Sequence, residues 1–576
     1  MHALLQWAEA YTHPAPHSVH WNGDGREDEV KELSLAETVN HYASNILGLL
    51  GAFLALPFAA LESISHRVYT CFVSDDNPSS SPSVLGNNAG PSEQLRLANI
   101  LPPLFGIAMS VFQTTGAGSP LSANKEFPGP NQWAGRLDRA EIDGAKSKED
   151  IEKLFVDIFK PQNAKKFSDL LASMGCRALR FSLEWAMFQP DGPEGFNQKA
   201  IEDYRNLIGE LKRNHIEPFV TIHHFTHPIW FEERGAFIKD ENIQHFTAYA
   251  EKMFKEFPEI KYWYTFNEVG AFTLEGWLQD HPSPIRGLDD AGNTIRNMLR
   301  AHCEVYEKAK KENQDRRIGI THQWLKLNPI NPGNPLEEAV CYIASKIAHL
   351  AIYEFFKTGN FVFRKPFQTN LSFHVDPKKF EDNNGFLDHI GVQFYGPAHI
   401  ILGSNGGQNY PGHRIQNFVF NFLGWGLSFG GTSIFGKPVM SFGPTVDPEA
   451  LEPNLLEAIE LGKEIHITEI GVDANIQHHG EEEFKEDREF QKKIFEQYVP
   501  ILERYKERIG ALFVWSIHAK KEWNRGDEPK LSVGEWITDQ VGNIVDLFLY
   551  PAGEWLKEEF LAYDRLNKGK EEERNN

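Results

Sequence analysis

Cysteine is scarce in this chain. Cys71, Cys176, Cys303 and Cys341 are spread across 576 residues. They make no CxxC pair and no metal-ligand spacing, which excludes a disulfide framework and a zinc motif. They read as small buried apolar residues in a reducing compartment, and neither metal nor cofactor is expected. Positive charge is also short: 58 Lys and Arg against 80 Asp and Glu leave a net charge of −22. Nucleic acid is excluded as a partner, because its phosphates would be repelled along most approaches. No GxGxxG follows a first strand, so the fingerprint of a dinucleotide-binding sheet is missing. No repeat of fixed period is present. Residues Met1 to Val30 lack a basic stretch leading into an apolar core, so no secretory signal is expected and a cytoplasmic location is. Long hydrophobic runs are missing with one partial exception. Ile46 to Leu61 carries no charge but falls short of the roughly 20 residues of a membrane span and contains Pro57. It is expected to be either a buried or partner-facing helix or a point of membrane contact.

What is present falls into three parts. Residues 1–93 read as an N-terminal helical extension, closed by the Ser-, Pro-, Asn- and Gly-rich linker Ser74–Ser92. Residues 566–576 read as a disordered polar tail. Between them, over 94–565, short β-type runs alternate with amphipathic stretches. The runs lie near Ile100–Met109, Ala178–Trp185, Pro218–Phe225, Tyr262–Glu268, Ile318–Trp324, Leu387–Tyr395, Ile465–Gly471 and Ala511–Ile517. The clearest helical periodicity covers Val156–Met174 and Ile201–Asn214. Eight strands interleaved with helices predict an α/β fold, a single (β/α)8 TIM barrel with an N-terminal helical extension. The connection Ile400–Gly443 is too long for a turn and rich in Gly and aromatics (Phe418, Phe420, Phe422, Trp425, Phe429, Phe435). Following the sixth strand, it is expected over the pocket mouth, either as a packed surface loop or as a lid or apolar platform for the leaving group.

Two of the runs end in a carboxylate: Tyr264-Thr265-Phe266-Asn267-Glu268 and Ile467-Thr468-Glu469-Ile470-Gly471. A buried strand that ends in Glu is costly unless something pairs with that Glu or uses it. Two such strands in one barrel would aim two carboxylates into the pocket at its C-terminal face. Paired carboxylates across a pocket are the apparatus of glycoside hydrolysis.

The chain resembles glycoside hydrolase family 1, the retaining β-glycosidases that include β-glucosidases, over roughly Leu101–Leu547. Arg180-Phe181-Ser182-Leu183-Glu184-Trp185 is similar to the family's RFSxxW segment, and Val220-Thr221-Ile222-His223-His224-Phe225 to its VTLxHW segment. Trp263 to Glu268 is similar to WxTxNEP, and Ile467 to Gly471 to ITENG. Trp515-Ser516 with Glu522-Trp523 is similar to the sugar-binding segment at the eighth strand, and Gln113 stands at the family's first-strand Gln. The resemblance implies that Glu469 is the nucleophile and Glu268 the acid/base, with carboxyls about 5–5.5 Å apart. It implies that Arg180 and Tyr395 support the nucleophile. It also implies that Gln113, His224, Asn267, Trp515, Glu522 and Trp523 bind a β-glycoside, small or oligosaccharide, with Asn267 on the sugar 2-hydroxyl.

Several positions depart from the family pattern. Val269 replaces Pro, Ile470 replaces Asn, Phe225 replaces Trp, Gln393 stands where Asn is usual, and Thr115 replaces an acidic residue. Ala519-Lys520-Lys521 replaces DNF. Retained Glu522 speaks against a sugar 6-phosphate, since a carboxylate repels phosphate; Lys520 and Lys521 pull the other way. Two other readings stay open at this level. One is a transglycosidase acting on a glycolipid or other acceptor, suited to the apolar Ile46–Leu61 run. The other is a catalytically silent sugar-binding scaffold.

Overall fold

The computed structural model describes residues 96–119, 130–133, 154–278, 285, 287–324, 327–329, 333, 338, 341–342, 345–363, 370–403, 426–429, 437–441, 444–478, 483–518, 522–523 and 529–575. The N-terminal extension with Ile46–Leu61, the linker and Cys71 lie outside these residues, as does most of the aromatic connection. Of that connection, the strand Gly426–Phe429 pairs antiparallel with Ala398–Gly403.

Eight parallel strands close into a barrel: β1 (Leu104–Ala108), β2 (Ala178–Ser182), β3 (Glu217–His223), β4 (Tyr262–Asn267), β5 (Arg317–Gln323), β6 (His389–Phe394), β7 (Glu464–Ile470) and β8 (Ile509–Trp515). Each neighbours the next, and β8 pairs β1 to close the ring. The helices include α1 (Pro161–Ser173), α2 (Gln198–Arg213), α3 (Ile243–Glu256), α4 (Val269–Leu278), α5 (Leu288–Glu312), α6 (Leu451–Glu460), α7 (Arg488–Tyr505) and α8 (Pro551–Asn575).

The expected (β/α)8 barrel is therefore the observed fold, and each expected run contains most or all of one barrel strand. The reason is burial on both faces. Every residue of β2 and β6 is buried, and a strand covered on both sides reads as a continuous apolar run. Outward residues such as Leu179, Phe181, Val220, Ile222, Trp263 and Ile318 join the large core beneath the helices. Inward residues form a second, smaller cluster of Ala108, Ala178, Phe219, Tyr264, Ala511, Phe513 and Trp515. Burying one such large apolar side chain is worth about 1.5–3 kcal/mol. Helix α2 shows the local logic. Asn197 caps it by accepting from the Lys199 N–H, and Ala200, Ile201, Tyr204, Leu207, Ile208 and Leu211 are buried while Lys212 and Arg213 end it.

Two boundaries differ from expectation. The helix expected over Val156–Met174 starts only at Pro161, because proline fits the first helical position and holds Lys160 extended (ψ 132°). The tail expected to be disordered from 566 is helical to Asn575. Its Lys- and Glu-rich sequence extends a helix already nucleated, and propagation is cheap. That helix also anchors the start of the barrel. Arg96 Nη2 donates to Glu559 Oε1 at 2.6 Å and the Ala98 N–H to Glu559 Oε2 at 2.8 Å, while Phe105 packs on Phe560 at 4.7 Å. Cys176, Cys303 and Cys341 are buried, as expected. No helix among the described residues is long and apolar enough to cross a membrane.

Candidate active site

The carboxylate-bearing strands do not keep simple alternation. On β4, Tyr264 belongs to the inward cluster. The next two side chains both face outward: Thr265 Oγ1 meets His302 Nδ1 of α5 at 2.7 Å, and Phe266 stacks on Phe246 of α3 at 4.5 Å. The pairing of β4 with β5 slips between Tyr264 and Asn267, so Asn267 turns inward. On β7 the registers with β6 and β8 also slip, between Ile467 and Glu469 and between Ile467 and Ile470. A bulge re-aims the side chains beyond it, and both catalytic candidates lie beyond one. Glu268 itself has φ +42°, and Phe225 and Trp523, which line the same pocket, have φ +66° and +36°. Left-handed backbone at non-glycine residues costs of order 1–3 kcal/mol each and gathers where function requires it.

Glu268 and Glu469 line one pocket at the C-terminal ends of the strands, with His224, Phe225, Asn267, Glu275, Gln323, Tyr395, Trp515, Glu522, Trp523 and Leu531. Arg180, almost fully buried on β2, donates from Nη1 to Glu469 Oε1 at 2.5 Å and from Nη2 to Asn267 Oδ1 at 2.6 Å. The Tyr395 hydroxyl donates to Glu469 Oε2. Asn267 Oδ1 accepts twice more, from Thr321 Oγ1 and Gln393 Nε2, both at 2.9 Å. With its oxygen saturated, Asn267 has its amide N–H groups left for the pocket.

The two carboxyls differ electrostatically. Burial pushes both upward. For Glu469 this is opposed by the Arg180 guanidinium and by hydrogen bonds from Tyr395, Arg180 and Gln393. Glu268 is driven well above the usual carboxylate range by burial, then by the charges of Glu469 and Glu275. No residue among those described donates a hydrogen bond to its carboxyl. When the pair loses its first proton, Glu469 ionises and Glu268 keeps the other.

The remaining expected residues gather at the same place. Gln113 Nε2 donates to Glu522 Oε2 at 3.0 Å. Trp523 stacks near-parallel on Phe112 at 5.8 Å and on His224 at 5.9 Å. Phe225, which departs from the family pattern, packs edge-on against Trp523 at 5.0 Å. Trp515 ends β8 and lies 6.0 Å from His224. Burial, then the charges of Arg180 and His223, hold His224 well below the usual imidazole range, so it is neutral. Thr115, another departure, turns its hydroxyl to the Val111 carbonyl and takes no part in the pocket.

Sequence reasoning missed Gln323, Glu275 and Leu531. Gln323 ends β5 just as Glu268 follows β4, so strand position was a usable signal. Glu275 is seven residues beyond Glu268, on α4, the helix that begins directly after it. Leu531 follows a loop and carried no signal. Glu184, inside a family-like motif, stands apart from the pocket. It caps the short helix Trp185–Phe188 and accepts from Thr226 Oγ1 at 2.7 Å, and burial pushes it up to about 7.

The barrel is similar to a β-glycosidase of Pyrococcus horikoshii (TM-score 0.59, 22% identity, covering 81% of this chain and 96% of that one). It is also similar to a family 1 β-glucosidase of Thermotoga maritima (TM-score 0.61, 19% identity, covering 82% and 99%). At these identities the likeness establishes the fold. Among sequence relatives, a 6-phospho-β-galactosidase of Streptococcus equi subsp. zooepidemicus is 37% identical over 279 residues, 44% of this chain and 59% of the relative. One of Streptococcus mutans is 32% identical over 236 residues, 41% of this chain and 47% of the relative. The chain thus spans about half the length of the curated relatives it matches. The sequence model of glycosyl hydrolase family 1 matches residues 104–528, most of the chain and all eight strands. The chain belongs to glycosyl hydrolase family 1.

Proposed function

We propose that the protein hydrolyses β-glycosidic bonds with retention of anomeric configuration. The observation that carries this is the asymmetry of the two buried carboxyls. Glu469 is gripped by Arg180 and Tyr395, while Glu268 is pushed upward by burial and by the charges of Glu469 and Glu275, with the more distant charge of Arg180 only partly opposing them. In the first step the Glu469 carboxylate attacks the anomeric carbon. The bond to the leaving oxygen breaks, and Glu268 delivers its proton to that oxygen. The sugar is then an ester of Glu469, and Glu268 is a carboxylate. Esterification removes the negative charge that had helped to raise Glu268, so Glu268 becomes a usable base. Water attacks the anomeric carbon and gives a proton to Glu268, and the Glu469 carboxylate departs. Two inversions make a retention. Asn267 is suited to donate to the 2-hydroxyl, and Gln113, His224, Glu522 and Trp523 to hold the remaining hydroxyls over Trp515.

The sugar is proposed to be unphosphorylated, although relatives are named 6-phospho-β-galactosidases. The described lining residues include Glu268, Glu275, Glu469 and Glu522 and neither Lys nor Arg, which opposes a phosphate dianion. The buried, unbridged Cys176 and Cys303 suit a reducing, cytoplasmic location. The test is a panel of aryl β-glycosides (glucoside, galactoside, fucoside, mannoside and the 6-phosphogalactoside), with the first-formed anomer followed by NMR. The expected result is release of the β-anomer from an unphosphorylated sugar. Release of the α-anomer, or no turnover of any member, contradicts the proposal; turnover of the 6-phosphogalactoside alone contradicts the substrate class.

A further inference from the structure

A buried polar chain lies inside the barrel beneath the site. The guanidinium of Arg180 sits 5.5 Å from the ring centroid of Tyr264, which is fully buried. The Tyr264 hydroxyl meets His466 Nδ1 at 2.7 Å, and His466 Nε2 meets Glu464 Oε1 at 2.7 Å. Glu464 opens β7 and is partly exposed at the opposite end of the barrel. The network sets the tautomer: the Glu464 carboxylate accepts from Nε2–H, so Nδ1 accepts from the tyrosine. Burial, the largest influence on His466, keeps it below the usual imidazole range and hence neutral. His389 stacks on His466 at 4.3 Å. The room for His389 comes from Gly319, where a Cβ would lie 2.4 Å from His389 Cδ2.

Neither Tyr264 nor His466 lines the pocket, so neither touches substrate. Their connection to the chemistry runs through Arg180. The two terminal nitrogens of Arg180 are committed to Glu469 and Asn267, while its Nε has no hydrogen-bond partner among the described residues. The guanidinium is therefore held at one edge by two acceptors and on one face by an aromatic ring. A cation on a buried ring is attracted by the ring's quadrupole, and the attraction depends on ring orientation. The Tyr264 ring is itself tethered at its far end by a neutral histidine fixed by a carboxylate. We propose that Tyr264 is a positioning residue for the nucleophile. It holds the plane of Arg180 so that one fork reaches both Glu469 and Asn267, and His466 with Glu464 holds Tyr264. The inference deepens the hydrolase reading above.

The titratable groups that share the pocket with Glu469 are Arg180 from β2, His224 after β3, Glu268 after β4, Glu275 on α4, Tyr395 after β6 and Glu522 beyond β8. Of these, Arg180 alone rests on the Tyr264 ring. Loosening it should make Glu469 harder to ionise and leave the Glu268 limb in place.

The test uses the full chain and Tyr264→Met, which removes the ring, with Tyr264→Phe and His466→Leu, which keep the ring and cut the tether. Glu469 is titrated by carbon NMR of protein labelled at glutamate carboxyls, its signal assigned by its loss in Glu469→Gln. The acid limb of kcat/KM is measured in parallel on an aryl β-glycoside. The expected result for Tyr264→Met is a rise of about one pH unit in both readouts, a tenfold change in the protonation equilibrium. The two ring-keeping variants should rise by a smaller but measurable step. A merely structural role would lower the melting temperature and leave both titrations where they were. An unmoved Glu469 titration in folded Tyr264→Met overturns the inference; if that variant does not fold, unmoved titrations in Tyr264→Phe and His466→Leu overturn it. Wild-type protein that hydrolyses no glycoside overturns the hydrolase reading instead, and the NMR titration still decides the role of Tyr264.

Discussion

Arg180→Met is the sharpest perturbation of the site. The guanidinium and the Glu469 carboxylate have side-chain exposures of 1% and 5% and are 2.5 Å apart. At an effective dielectric of about 20, unit charges some 4 Å apart interact by about 4 kcal/mol. Divided by about 1.4 kcal/mol per pH unit, that is a loss of about three units of support for the ionised nucleophile. Tyr395 and Gln393 still donate to Glu469, so about two to three units is the expected shift. The protonation equilibrium of Glu469, and with it kcat/KM on the acid side of the profile, should shift on the order of a hundredfold to a thousandfold. The acid limb should move upward toward the basic limb set by Glu268, and the bell should narrow. The fold survives because Glu469 takes up a proton instead of remaining a lone buried charge, which would cost about 3–5 kcal/mol. The variant's raised native pKa means that its stability relative to wild type is greatest in acid and falls as pH rises. The assay is kcat/KM from pH 4 to 9 with melting curves at both ends. An acid limb within half a unit of wild type would refute the assignment of Arg180 as the group that keeps Glu469 charged.

Three further outcomes follow from burial and packing. Glu184 is held at about 7 in the fold against 4.5 as its ordinary value, so the native state keeps a proton that the unfolded chain releases. Its contribution is full below pH 4.5 and is lost as pH rises to 7, about 3 kcal/mol in all; denaturation of Glu184→Gln at pH 5 and pH 8 should show the variant gaining on wild type by that order. Gly319→Ala places a methyl 2.4 Å from both the ring and the carbonyl of His389, and urea unfolding should register a loss of about 1–3 kcal/mol. Deleting residues before Pro91 leaves Arg96, its ion pair with Glu559 and the whole barrel, so the truncated chain should keep its thermal transition and its activity; loss of the transition would place Ile46–Leu61 in the barrel core.

The strands were legible because both their faces are covered. An unbroken apolar run such as Ala178–Ser182 admits few other readings. The pairing of Glu268 and Glu469 in one pocket was legible because a carboxylate is costly at the end of such a run. What local pattern does not encode is direction. Strict alternation from inward Tyr264 would send Phe266 inward and Asn267 out. The opposite occurs, because α3 and α5 offer Phe246 and His302 as outward partners and the strand bulges to reach both. The chain Tyr264–His466–Glu464 was hidden for a related reason. Tyrosine and histidine inside a β-run signal nothing by themselves, and their contact joins strands on opposite sides of the barrel. The start of α1 was misjudged because apolar periodicity continues through Val156 and Phe159, whereas Pro161 sets the first helical position.

The central claim is that Glu469 is the nucleophile and Glu268 the acid/base. It is tested most directly by azide capture with Glu268→Ala and Glu469→Ala on an activated aryl β-glycoside. Glu268→Ala should still form the glycosyl-enzyme, since a good leaving group needs little protonation. Azide then attacks from the β face and gives the β-glycosyl azide. Glu469→Ala forms no covalent intermediate, so azide displaces the leaving group directly and gives the α-glycosyl azide. The anomeric configuration of each adduct, read by NMR, is the deciding measurement. The account predicts β from Glu268→Ala and α from Glu469→Ala; the reverse pairing would contradict it.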